Sequence, residues 1–104
     1  MSVTVDLSRD EIIARLRGLE TALRAQGVTG LAIFGSRARA DARADSDLDV
    51  LVDAGAPQNF SLFDLIGVQH TIQDAIGIET QATLRSELDQ RMSQRIADDV
   101  VKVF

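Results

Sequence analysis

Apolar positions recur along this chain with two different periods, and the switches between them mark out the elements. Ile12, Leu16, Leu19 and Leu23 fall at helical spacing. They follow Ser8-Arg9-Asp10-Glu11, which has the form of a capping box with acidic residues in the first turn and Leu7 as its staple. Gly27 is placed to stop this first helix. Leu31-Ala32-Ile33-Phe34 is a short, continuously apolar run, as a buried strand would be. The next strand alternates: Leu48, Val50 and Val52 face one way, and Asp47, Asp49, Leu51 and Asp53 the other. Only about 10–12 residues separate the two strands, too few for a full parallel crossover, so an antiparallel pair is expected.

Ala54-Gly55-Ala56-Pro57-Gln58-Asn59 breaks the second strand into a loop. Ser61-Leu62-Phe63-Asp64 then caps a segment in which Leu65, Val68, Ile72 and Ile76 recur at helical spacing, and Gly77 ends it. Gly67 weakens that helix by about 1 kcal/mol without cancelling the periodicity. Ile78 to Thr83 reads as a third strand, with Glu79, Gln81 and Thr83 on one side. From Ser86 to Lys102, Leu88, Met92, Ile96 and Val100 predict a helix with one apolar stripe. Val101, Val103 and Phe104 fall partly outside the stripe, and either fold back on the core or form an interaction surface. The pattern predicts a small α/β domain, with helices packed on a mixed sheet of three or four strands.

Length and charge narrow this picture. The 104 residues make one domain, residues 1–104, which buries about 65% of the surface its unfolded chain exposes. The absence of cysteine excludes disulfides, cysteine-based zinc sites and thiol catalysis. Ser2-Val3-Thr4-Val5-Asp6 is too polar and short for a leader, and no apolar run approaches the ~20 residues that span a bilayer. A cytoplasmic protein without membrane contact is expected. A net charge of −5 disfavours a grip on long nucleic acid. His70, the single histidine, lies in the helix after Ser61 with no partner acid or nucleophile evident, so it reads as incidental.

The candidate chemistry lies between the first two strands. Gly35 lets the backbone approach phosphate closely, and Ser36 offers a hydroxyl where a helix would begin. Asp47 and Asp49 share a face of the second strand roughly 7 Å apart, a spacing suited to carboxylates that jointly hold Mg²⁺. Two ions about 3.5–4 Å apart could be bridged from such a pair for in-line displacement at phosphorus. Leu51 on the same face suggests partial cover, which raises the cost of two unneutralised charges. Arg37, Arg39 and Arg43 make a local basic patch suited to a compact anion such as triphosphate, although Arg43 fits a solvated position balanced by Asp41 and Asp45.

Phe34-Gly35-Ser36-Arg37-Ala38-Arg39 through Ser46-Asp47-Leu48-Asp49-Val50-Leu51-Val52 resembles the signature of the DNA polymerase β-like nucleotidyltransferase superfamily, in its minimal branch. The resemblance covers nearly the whole chain. It implies the palm-like nucleotidyltransferase fold, Mg²⁺ as two ions, and ATP as substrate. It also implies an antitoxin paired with a HEPN-type RNase toxin, in which AMP is transferred from Mg-ATP to a hydroxyl, a tyrosine of the toxin. Asp47 and Asp49 would hold both metals, while Gly35, Ser36 and Arg39 would bind the nucleotide's phosphates. Family sites take a third carboxylate from a neighbouring strand. The position read for it here is Glu79, which would bind the metal nearer the acceptor and help deprotonate it. Glu79 stands where the family typically has aspartate, and Ala40 where it commonly has glycine. The alternative is an antitoxin that neutralises its toxin by direct binding around a weakened nucleotide site. Homo- or hetero-oligomerisation stays open.

Overall fold

The computed structural model describes residues 7–43 and 45–104; the reading of Ser2 to Asp6 lies outside the described residues. Among the described residues, five α-helices and four strands follow in the order α1 (Arg9–Arg17), α2 (Glu20–Ala25), β1 (Val28–Phe34), α3 (Gly35–Arg39), β2 (Leu48–Ala54), α4 (Leu62–Ile76), β3 (Thr80–Leu84), α5 (Gln90–Ile96) and β4 (Val101–Lys102). Both predicted capping boxes form, Ser8 with Glu11 and Ser61 with Asp64. The first helix does not run unbroken to Gly27. It is interrupted at Gly18 and Leu19, where glycine removes helix propensity and α2 restarts with no side-chain cap.

The sheet order is β3-β2-β1-β4. β1 and β2 pair antiparallel as expected, while α4 carries the chain across to β3, which pairs parallel to β2. The alternation in β2 divides the core in two. Leu48, Val50 and Val52, together with Leu31 and Ile33 of β1, pack against Ile12 and Leu16 of α1, Leu23 of α2, and Val68, Ile72 and Ile76 of α4. Ala32, Phe34 and Leu51 face the other way, under Ile96 with Leu88 and Val100. Among the described residues, one face of the sheet is thickly covered and the other only by α5 and its flanks.

The helix expected from Ser86 to Lys102 is confined to Gln90–Ile96: a separate 3-10 turn occupies Arg85–Glu87, Asp89 caps α5, and the helix stops at Ile96. Val100-Val101-Lys102-Val103 holds three β-branched valines, and the open edge of β1 offers unpaired backbone groups that need partners. β4 therefore pairs antiparallel with β1, and Val103 and Phe104 both donate backbone N–H to the Leu31 carbonyl. Of the two outcomes open for Val103 and Phe104, folding back is the one observed, with Val103 buried. Among the described residues, no helix is long and apolar enough to cross a membrane.

Candidate functional site

Antiparallel pairing sets Phe34, the last residue of β1, opposite Asp49 near the start of β2. The turn after β1 and the two aspartates thus lie at the same end of adjacent strands. Gly35 opens α3 at φ 76°, a left-handed conformation, and a Cβ built there would lie 2.6 Å from Asp49 Oδ2. That distance is closer than any side chain tolerates, so the glycine lets the Asp49 carboxylate rest against the turn backbone. Ser36 follows, half-buried, and its carbonyl accepts the Ala40 and Asp41 N–H groups that close the turn.

The two carboxylates differ in environment. Asp47 is exposed, whereas Asp49 is half-buried. Burial pushes the Asp49 carboxyl above its ordinary value, the negative charge of Asp47 pushes it further, and the Arg39 guanidinium opposes both. Arg39 therefore acts on Asp49 from across the turn. Its own guanidinium is held in the charged form by hydrogen bonds to Asp99 at 2.8 Å and Asp41 at 3.2 Å. The expected patch of three arginines is not what forms. Arg37 is buried and donates through Nε and Nη2 to the Ser46 carbonyl, so it fastens the loop that delivers Asp47. Arg43 is exposed. Its backbone N–H donates to the Ser46 hydroxyl, which tightens the same loop.

The expected third carboxylate is not gathered with this pair. Among the described residues there is no group of three histidine, cysteine, aspartate or glutamate side chains placed to hold a metal ion. Glu79 is exposed and precedes β3, meeting β2 through its backbone carbonyl, which accepts the Leu48 N–H at 2.8 Å. The parallel register pairs Leu48 with Thr80 and Asp49 with Gln81. Thr80 and Leu84 are buried on the α4 side, so Gln81 and Thr83 share the face of Asp49 and Leu51. The strand position beside Asp49 is thus an exposed amide. Two carboxylates whose repulsion Arg39 offsets only in part, one of them partly buried, have the chemistry of a hard-cation site, but the donor set is short of a third acid.

Further along the same face, Leu51 floors an open cleft of about 340 Å³ lined also by Arg85, Leu88, Ser93, Ile96 and Val100. Arg85 donates to Asp53 at 2.8 Å and forms one wall. The sequence reading missed Gln81 and Asp99. The first was on the right face by alternation, yet strand parity alone does not say which residue lands beside Asp49. The second lay in a segment read as helix.

A strand–turn–helix joined antiparallel to an Asp-x-Asp strand, with a parallel neighbour across one helix, defines the minimal nucleotidyltransferase fold. Residues 16–103 match the nucleotidyltransferase domain family, and this chain belongs to it. It is 30% identical over 98 residues to the protein adenylyltransferase MntA of Thermococcus cleftensis, covering 93% of this chain and 97% of the relative. A solved minimal nucleotidyltransferase superposes with a TM-score of 0.77 at 23% identity, over 91% of this chain and 95% of the other. The fold is also that of a chain in the complex of a tri-AMPylated HEPN toxin with MNT antitoxin from Shewanella oneidensis, at TM-score 0.64 and 12% identity over 88% and 71% of the two chains. A toxin–antitoxin structure with AMP-PNP gives 0.69 at 13% identity, over 85% and 72%.

Proposed function

We propose that this chain is an antitoxin that transfers AMP from Mg-ATP to a tyrosine hydroxyl of a cognate HEPN toxin and thereby neutralises it. The observation that carries this reading is the meeting of Asp47 and Asp49 with the Gly35-Ser36 turn at one end of the β1–β2 pair. It is supported by the name of the Thermococcus relative. Asp47 and Asp49 would hold Mg²⁺, which when bound neutralises charge on the phosphates. Ser36, the backbone of the turn and Arg39 hold the β- and γ-phosphates, and Arg39 exchanges its contact with Asp99 or Asp41 for the anion. The cleft beside Leu51 receives the nucleoside on the same face. As the tyrosine oxygen bonds to the α-phosphorus, the bond to the β-phosphate oxygen breaks. Pyrophosphate leaves and the hydroxyl proton passes to water.

A second reading, neutralisation by contact alone, is favoured by the missing third carboxylate and by Leu62 and Phe63, 70% and 86% exposed at the start of α4. One experiment separates the two. The chain, labelled ATP, Mg²⁺ and the cognate toxin are incubated beside the Asp47→Asn/Asp49→Asn variant. Label on the toxin that disappears with the double variant supports transfer. Toxin neutralised by that variant without any label refutes transfer as the mechanism and leaves binding.

A further inference from the structure

Resting on the reading of Asp47 and Asp49 as a metal-holding pair, we propose that Gln81 sets the strength of that site, an amide where a carboxylate would complete the ligand set. The register fixes its place. Asp49 and Gln81 are lateral partners on parallel strands, about 4.8 Å apart in backbone, with side chains on the same face. Gln81 is exposed, so no packing demand accounts for an amide there. Its carbonyl oxygen can approach a hard cation but brings no charge to it. Glu79 does not make up the difference, since it joins no group of acids able to hold an ion among the described residues. The substitution also has a benefit without the cation. A third negative charge beside Asp47 and the half-buried Asp49 would add repulsion to a pair already strained by it. Gln81 thus gives an empty site that tolerates its own charge and a loaded site that holds its ion loosely. The chain becomes an exchangeable rather than a permanent holder of divalent cation.

The test is a Mn²⁺ titration followed by electron paramagnetic resonance, alongside thermal melts in EDTA and in Mn²⁺. The proteins are the unaltered chain, Gln81→Asp, Gln81→Glu, Glu79→Gln and Asp47→Asn/Asp49→Asn. Tightening by about tenfold or more is expected for at least one of the Gln81 variants, the scale on which ligand charge tunes hard-cation sites. The same variant melts below the unaltered chain in EDTA and regains that loss in Mn²⁺. Both Gln81 variants binding Mn²⁺ as weakly as the unaltered chain would overturn the inference, as would loss of binding in Glu79→Gln. Variants unfolded in EDTA that Mn²⁺ does not restore overturn it too. Unchanged binding in Asp47→Asn/Asp49→Asn would instead overturn the reading of the site itself.

Discussion

Replacing Gly35 with alanine adds one methyl group at the point where the turn and the acidic strand touch. Two costs follow. A non-glycine residue at φ 76° occupies the left-handed region, at about 1–2 kcal/mol. The new Cβ would also stand 2.6 Å from Asp49 Oδ2, the end of a side chain that can swing aside at an off-rotamer cost, which adds a further ~1–2 kcal/mol. Gly77 supplies the comparison, because it has φ 79° and nothing within 4 Å of a built Cβ. Gly77→Ala should cost only the conformational part, about 1–2 kcal/mol. Urea unfolding in EDTA reads the difference, as Gly35→Ala should lower the midpoint by about 1–2 M at the usual slope for a domain of this size. A double-mutant cycle locates the cause. Asp49 Cβ lies at an ordinary 3.7 Å from the built atom, so Asp49→Ala removes the clashing oxygen without creating a new one. The two substitutions should therefore couple favourably by about 1–2 kcal/mol. If Gly35→Ala costs no more than Gly77→Ala and does not couple with Asp49→Ala, the turn and the carboxylate do not touch as described.

Three further outcomes are expected. Ala40 is the one described non-glycine residue with positive φ, at 62°, so Ala40→Gly should relieve about 1–2 kcal/mol of strain against about 0.5–1 of added unfolded-state freedom, raising the melting temperature by a few degrees. Because the Asp49 carboxyl is raised in the fold, its charge is a liability at neutral pH that fades as pH falls through the folded value. Asp49→Asn should accordingly melt above the unaltered chain at pH 7 in EDTA, with the gap closing below the ordinary carboxylate range; a gap that widens on acidification would contradict that sign. Ile72→Ala, at a fully buried position of α4, should cost about 2–5 kcal/mol in chemical denaturation.

The elements nearest the site were the most legible in the sequence. Alternation in β2 gave both its faces, and the two capping boxes gave the starts of α1 and α4 to the residue. Ala40, read from the resemblance as standing in place of a glycine, proves to sit where a glycine would be unstrained. What failed depended on contacts between distant parts of the chain. β4 exists because the edge of β1 needs partners, and the three valines in and around it are too short a signal to override, on their own, the helical spacing of Ile96 and Val100. The alternation in β3 was legible, but its register against β2 is set by how far α4 carries the chain, so Gln81 rather than Glu79 stands beside Asp49. Arg37 resembled a ligand for anions, yet its use is to fasten a loop, a distinction that only burial reveals.

The turn and the acidic pair belong to one short antiparallel excursion, whereas β4 reaches β1 only after most of the chain has passed. Closing the first loop confines few residues and the second confines many, so local contacts are gained before distant ones. The corner where the turn meets the acidic pair is thereby expected to condense early in folding, with the edge strand docking late on a sheet already formed. Substitutions at the corner should register in the refolding rate, and those along β4 chiefly in the rate of unfolding.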